Sequence, residues 1–237
     1  MPLVSAHRGG TPVPGQKAAE RYRHAIELGV DYVEFDVRKT RDRVSIVCHD
    51  DCTVGGRPIR DFTFAQLTGE LGDEALTFDE LLDVAAGKVG LHLDLKEPGY
   101  EDEVIAAVRA RTSDERFVIT SEDRVVRTIE DRDPTVRTGL SLGDELQGAP
   151  LWKRLRVRLS EAFPRDRLAA CGADFVAVHW QLADFNVLRY CSRHDVDAWV
   201  WTVDEEVALK RYLADPRVTT VITNQPELAL RLRSARS

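Results

Sequence analysis

The chain has 237 residues, 43% of them hydrophobic and 31% charged, with a formal net charge of −7. This mixture excludes disordered, collagen-like and membrane-embedded classes, and no run approaches the roughly 18 consecutive apolar residues that span a bilayer. The acidic balance argues against nucleic-acid binding through bulk charge but not against a local site for an anion.

The N-terminus MPLVSAHRGG lacks a charged region followed by an apolar stretch, so a cytoplasmic location without stable membrane insertion is expected. Cys48, Cys52, Cys171 and Cys191 form no CxxC pair and read as four reduced, mostly buried thiols. In chain order, an extended run Leu3 to Ala6 ends in His7-Arg8-Gly9-Gly10. A helix is predicted from about Lys17 to Leu28 and stopped by Gly29. Tyr32 to Arg38 and Val44 to His49 read as extended. Leu76 to Ala86 reads as a helix with Thr77 and Glu80 at capping-box spacing, followed by a strand from Val89 to Lys96.

The alternation continues through helix Glu101 to Arg111, strand Phe117 to Ser121, helix Arg124 to Glu130 and strand Val136 to Leu142. Gly143 to Pro164 reads as irregular, before a helical stretch ending at Cys171. Strands Asp174 to Trp180, Ala198 to Val203 and Thr219 to Thr223 then precede helices Phe185 to His194, Glu205 to Ala214 and Pro226 to Arg233. Strands alternating with helices indicate βαβ units and a parallel sheet. Eight such units in a chain near the usual ~250 residues predict an α/β fold, a TIM (β/α)8 barrel of one domain over residues 1–237. A doubly wound open sheet is the competing arrangement.

Tyr32-Val33-Glu34-Phe35-Asp36-Val37-Arg38 carries the strongest chemical signal. At period 2, Val33, Phe35 and Val37 share one face, and Glu34, Asp36 and Arg38 share the other. Two carboxylates side by side in a sheet covered on both faces repel each other unless a cation lies between them. Leu91-His92-Leu93-Asp94-Leu95-Lys96 repeats the device, with His92, Asp94 and Lys96 opposite the leucines. Asp94 brought beside Glu34 and Asp36 would make an all-oxygen site suited to one hard divalent cation, Mg²⁺ or Ca²⁺. Lys96 then has two open roles, holding a substrate anion or pairing with barrel carboxylates.

His7 and His49 each end an extended run, where barrel active sites form and where histidine serves as acid or base. Arg8 could fork onto a phosphate. His179 is expected near the barrel mouth, His24 and His194 on the surface, and Asp50 either orients His49 or caps a turn. These residue types together suit hydrolysis of a small-molecule phosphodiester, and no P-loop or GxGxxG turn is present.

The segments SAHRGG, AIELGVDYVEFDVRKTRD, VSIVCHDD, LHLDLKEP, WVWTVDEE and VITNQPEL together resemble the glycerophosphodiester phosphodiesterase family from end to end. The resemblance implies a TIM barrel that hydrolyses glycerophosphodiesters to sn-glycerol 3-phosphate and an alcohol. It also implies an acid–base pair in His7 and His49, and a divalent cation on Glu34, Asp36 and Asp94. Arg8 and Lys96 would contact phosphate, and Trp201 would line the pocket, although a barrel-core role is equally open to Trp201. Two departures stand out: Pro14-Gly15-Gln16 replaces the family's PEN, and Asp94 stands where Glu is common. The short connection from His49 to Leu91 implies no large inserted cap domain. Two further readings remain open. One is a phospholipase D-like enzyme on lysophospholipids or sphingolipids, using Leu151, Trp152 and Leu155 with Lys153, Arg154 and Arg156. The other is a barrel that binds metal and phosphate without turnover.

Overall fold

The computed structural model describes residues 1–143 and 150–235, without side-chain placement at 151 and 153–155. Nine strands form one sheet: β1 (Leu3–Ala6), β2 (Tyr32–Lys39), β3 (Ser45–Val47), β4 (Gly90–Leu95), β5 (Phe117–Ser121), β6 (Thr138–Leu142), β7 (Phe175–His179), β8 (Asp197–Trp201) and β9 (Thr220–Thr223). Neighbours run β1-β9-β8-β7-β6-β5-β4-β2, and a parallel β1–β2 pairing closes the ring, giving an eight-stranded parallel barrel. The ninth strand, β3, is a hairpin arm antiparallel to the upper end of β2, with Val37 opposite Val47. Val44 to His49 is therefore an appendage of β2 and not a barrel stave.

The helices wrap the outside: α1 (Ala18–Leu28), α2 (Phe64–Leu71), α3 (Phe78–Ala85), α4 (Glu101–Arg109), α5 (Asp123–Arg132), α6 (Leu151–Ala162), α7 (Arg165–Cys171), α8 (Trp180–Leu182), α9 (Leu188–His194), α10 (Glu206–Tyr212) and α11 (Pro226–Ser234). Gly29 ends α1 at φ 82°, and Thr77 and Glu80 close the expected capping box on α3. Two expectations need correction. The segment expected to be irregular contains α6, because its Gly and Pro flank a run of helix formers. Trp180 begins α8 instead of ending β7, its carbonyl accepting the Tyr212 hydroxyl at 2.9 Å.

Apolar packing lies in two layers. Between strands and helices, Val33, Phe35, Val37, Leu91, Leu93 and Leu95 join the main core. Inside the barrel floor, Val118, Phe175, Ala177, Trp199 and Ile222 form a separate plug, with Tyr32 and Trp201 against it. Trp199 sits 4.8 Å from the Phe175 ring and 5.1 Å from Tyr32. Gly90 and Gly139 make room for these rings: a Cβ on Gly90 would come within 2.6 Å of Tyr32, and one on Gly139 would overlap Phe175. The four cysteines are free thiols; Cys171 and Cys191 are buried as expected, but Cys48 and Cys52, on the loop after β3, are only half-buried. Among the described residues, no helix is long and apolar enough to cross a membrane.

Candidate active site

The strand register brings the two polar faces together. Parallel pairing of β2 with β4 sets Glu34 opposite His92 and Asp36 opposite Asp94. Oxygens of Glu34, Asp36 and Asp94 lie within 4.8 Å of one another, as the alternation predicts. This all-oxygen donor set suits a hard cation. Burial, reinforced by Asp36 and Asp94, pushes the Glu34 carboxyl well above its usual range. Burial acts the same way on Asp36, but Lys96 and Arg8 outweigh it and hold that carboxyl below its ordinary value. Lys96 Nζ pairs with Asp94 and lies 2.9 Å from Asp36 Oδ1. Burial disfavours its charge, yet Asp94 and Asp36 more than compensate and raise its pKa. The ion-pair role open to Lys96 is thus observed, with the ammonium at the edge of the carboxylate cluster.

His7 and Arg8 leave β1 in a tight turn. Arg8 is in the left-handed region (φ 50°, ψ 32°), and Gly9 follows at φ 74° with Tyr22 packed against it. The turn is fastened from both sides. Arg8 N–H donates to Glu34 Oε2 at 2.9 Å, and the Arg8 carbonyl accepts from buried Arg21 Nε at 2.9 Å. Arg21 is itself clamped by both oxygens of Glu74 at 2.7 Å. Arg8 Nε reaches Asp36 Oδ2 at 3.2 Å.

His7 Nδ1 lies 2.7 Å from Asn224 Oδ1. Asn224 Nδ2 donates to Asp204 Oδ2 at 2.8 Å, which fixes the amide so that its oxygen accepts from the imidazole. His7 therefore carries its proton on Nδ1, and Nε2 lies 3.9 Å from Glu34 Oε2. Burial, aided by Arg8, lowers its pKa to about 4. Asp204 and Asn224 escaped sequence reasoning, though VITNQPEL ends a strand in a polar run that signals such a role.

His49 follows the β3 arm, half exposed, with Nδ1 donating to Asp50 Oδ1 at 2.8 Å. Its position comes from β2. Arg38, the third polar residue of that strand face, donates through Nε and Nη2 to the His49 carbonyl at 3.0 and 2.9 Å. Arg38 Nη1 is held by Glu97 at 2.8 Å. The orienting role open to Asp50 is the one observed.

These groups line a cavity of about 420 Å³ at the barrel mouth, completed by His92, Thr120, Ser141, Gly143, Ala177, His179, Trp201, Thr202 and Ile222. His92 lies deep, its Nε2 2.9 Å from Thr120 Oγ1, and burial lowers its pKa to about 3. Trp201 forms the opposite wall, edge-on to His179 at 5.1 Å. Every predicted site residue borders this cavity, and His179 joins them as expected. His24 and His194 are exposed on the outer helices.

Fold and cavity define a (β/α)8 barrel with two imidazoles and a carboxylate cluster at its mouth. Within that class, the chain belongs to the glycerophosphoryl diester phosphodiesterase family, whose model matches residues 7–228. It is 26% identical over 255 residues to a glycerophosphodiester phosphodiesterase of Caldanaerobacter subterraneus subsp. tengcongensis, covering 97% of each chain. Solved structures agree in fold. A glycerophosphodiester phosphodiesterase of Parabacteroides distasonis superposes at TM-score 0.77 with 20% identity, covering 99% of this chain and 97% of that one. A phosphodiesterase of Oleispira antarctica, solved with the product sn-glycerol-3-phosphate, superposes at 0.75 with 21% identity, covering 99% and 97%.

Proposed function

We propose that the protein hydrolyses glycerophosphodiesters to sn-glycerol 3-phosphate and an alcohol, with one divalent cation, Mg²⁺ or Ca²⁺, held by Glu34, Asp36 and Asp94. The observation that carries this reading is a pair of differently partnered imidazoles bordering one cavity beside an oxygen-ligand cluster. Family membership and the likeness to a barrel solved with sn-glycerol-3-phosphate support the substrate class.

His7 acts as the base. Its Nδ1 proton is committed to Asn224, and its lowered pKa keeps Nε2 unprotonated near neutral pH. Nε2 takes the proton of an attacking water. Where the substrate's own glycerol hydroxyl attacks instead, the cyclic phosphate it forms is opened by a water in a second step that yields sn-glycerol 3-phosphate. His49 acts as the acid: with Nδ1 engaged by Asp50, Nε2 delivers a proton to the alcohol oxygen as its bond to phosphorus breaks. Arg8 and Lys96, at the rim of the carboxylate cluster, contact the phosphoryl oxygens. When bound, the cation supplies charge stabilisation to those oxygens. Trp201 shapes the wall against the substrate.

Release of glycerol 3-phosphate from glycerophosphocholine tests the reading. His7→Ala and His49→Ala should each lower the rate about 10²- to 10⁴-fold in metal-replete buffer. EDTA should silence the wild type until Mg²⁺ or Ca²⁺ is restored. Near wild-type turnover by both variants would overturn the assignment.

A further inference from the structure

Among the described side chains of helix α6, a carboxylate is buried while large apolar residues are exposed. Its buried side carries a carboxylate: Glu161 is 4% exposed, accepts the Gly143 N–H at 3.0 Å and pairs with Arg158 at 2.7 Å. Large apolar residues stand on its outer side. Trp152, Arg156, Leu159 and Phe163, spaced i, i+4, i+7 and i+11, fall on one stripe of the helix and its C-terminal cap, and all four are exposed. Trp152 is 66%, Leu159 58% and Phe163 55% exposed.

The stripe continues across the molecule. Phe163 meets the ring of Phe185 edge-on at 6.5 Å, and Phe185 is 72% exposed. Phe185 lies in the turn after α8, whose first residue, Trp180, is also exposed and stacks at 5.8 Å on cavity-lining His179. An apolar track thus leads from the outer face of α6 to the rim of the cavity. Among the described residues, five of the nine exposed large hydrophobics lie on this track, a concentration that marks an interaction surface.

Charge identifies the partner. Residues 150–170 hold six basic and two acidic side chains, in a chain whose net charge is −7. Exposed Arg156 lies within the stripe, and Arg165 stands two residues beyond Phe163. Arg158 and Arg167 are paired with Glu161 and Asp123, so among the described side chains exposed Arg156 and Arg165 give this face its charge. A second copy would set them against each other in a two-fold contact, which like charge disfavours. Aromatic and aliphatic side chains flanked by arginines are the pattern that seats a helix in the headgroup layer of an anionic bilayer. We infer that this face docks the barrel mouth reversibly on an anionic phospholipid surface, with α6 lying in the interface. The inference stands apart from the reaction, since it rests on residues that take no part in the cavity's chemistry.

Co-sedimentation with phosphatidylcholine vesicles, with and without one third phosphatidylglycerol, tests it. The wild type should bind the anionic vesicles at low salt and detach as salt rises. A Trp152→Ser, Phe163→Ser, Phe185→Ser variant should bind at least about tenfold more weakly, with an unchanged melting curve. An Arg156→Glu, Arg165→Glu variant alters only exposed side chains and should also lose binding to the anionic vesicles, which keeps the test decisive if the triple variant misfolds. Wild type left in the supernatant with anionic vesicles would overturn the inference, as would undiminished binding by folded variants. Light scattering that shows a dimer dissolved by the serine substitutions would overturn it too, reassigning the stripe to a contact between copies.

Discussion

The barrel interior is two regions stacked on the same strands. On the floor, Tyr32, Phe175 and Trp199 interlock as an aromatic plug, with Gly90 and Gly139 cut away to admit them. A few residues further along the same strands, Glu34, Asp36, Asp94 and Lys96 form a charged layer held by mutual ion pairs. Close packing stabilises the first region. The second gathers like charges out of water, an arrangement folding alone does not favour. Strand period carries both patterns, so one closed ring supplies rigidity below and chemistry above.

Substitutions should separate the two regions. The largest effect is expected from Glu34→Gln, which removes a carboxylate from the cluster. Glycerol 3-phosphate release should fall about 10²- to 10³-fold while the melting temperature holds or rises, because burial and the neighbouring carboxylates already disfavour the Glu34 charge and the Gln oxygen can still accept the Arg8 N–H. A melting temperature that fell sharply would make Glu34 a structural residue and erase the contrast. Asn224→Ala should cost about tenfold to a hundredfold in kcat by freeing the His7 ring. The acidic limb of the pH–rate profile should move with it, whereas a purely structural role would lower stability and leave the profile in place.

Gly139→Ala probes the floor. It drives a methyl into the Phe175 ring and should destabilise by roughly 1–3 kcal/mol, with turnover per folded molecule preserved. Calorimetry beside an active-site titration would show it, and loss of turnover without loss of stability would merge the two regions. The mildest probe is chemical. Cys191 is fully buried, and burial pushes its thiol up to about 12, while Cys171 is buried and also raised. An aromatic disulfide reagent at pH 8 should therefore modify half-buried Cys48 and Cys52 first, Cys48 slowly because burial pushes its thiol up to about 11. It should reach Cys171 and Cys191 only after denaturant is added.

Legibility in the sequence followed the same division. Alternation alone exposed the acid faces of β2 and β4, because period 2 is local. Their register, Asp36 beside Asp94, is a pairing between strands that no single segment contains. His49 reads from the sequence as the end of an extended run with no scaffold assigned. A hairpin antiparallel to β2 carries that run, and Arg38 on the acid face ties down the His49 carbonyl. The seat of α6 was hidden for a different reason. Trp152 and Leu159 are exposed while Glu161 is buried, so a helix read by its buried apolar stripe looks irregular. Leu151, Lys153, Arg154 and Leu155, invoked for a lipid substrate, have side chains outside the described residues, while Trp152 is exposed.

The bond between His7 and Asn224 spans 217 residues, from the end of the first strand to the end of the last. A chain emerging from a ribosome thus makes His7 almost at once and fixes its ring almost at the end. With His7 as the proposed base, topology alone holds the half-made barrel silent, without any inhibitor. Turnover then becomes a timestamp for the moment the ring closes, and a C-terminal truncation short of residue 224 should yield a protein that has both imidazoles and cannot aim His7.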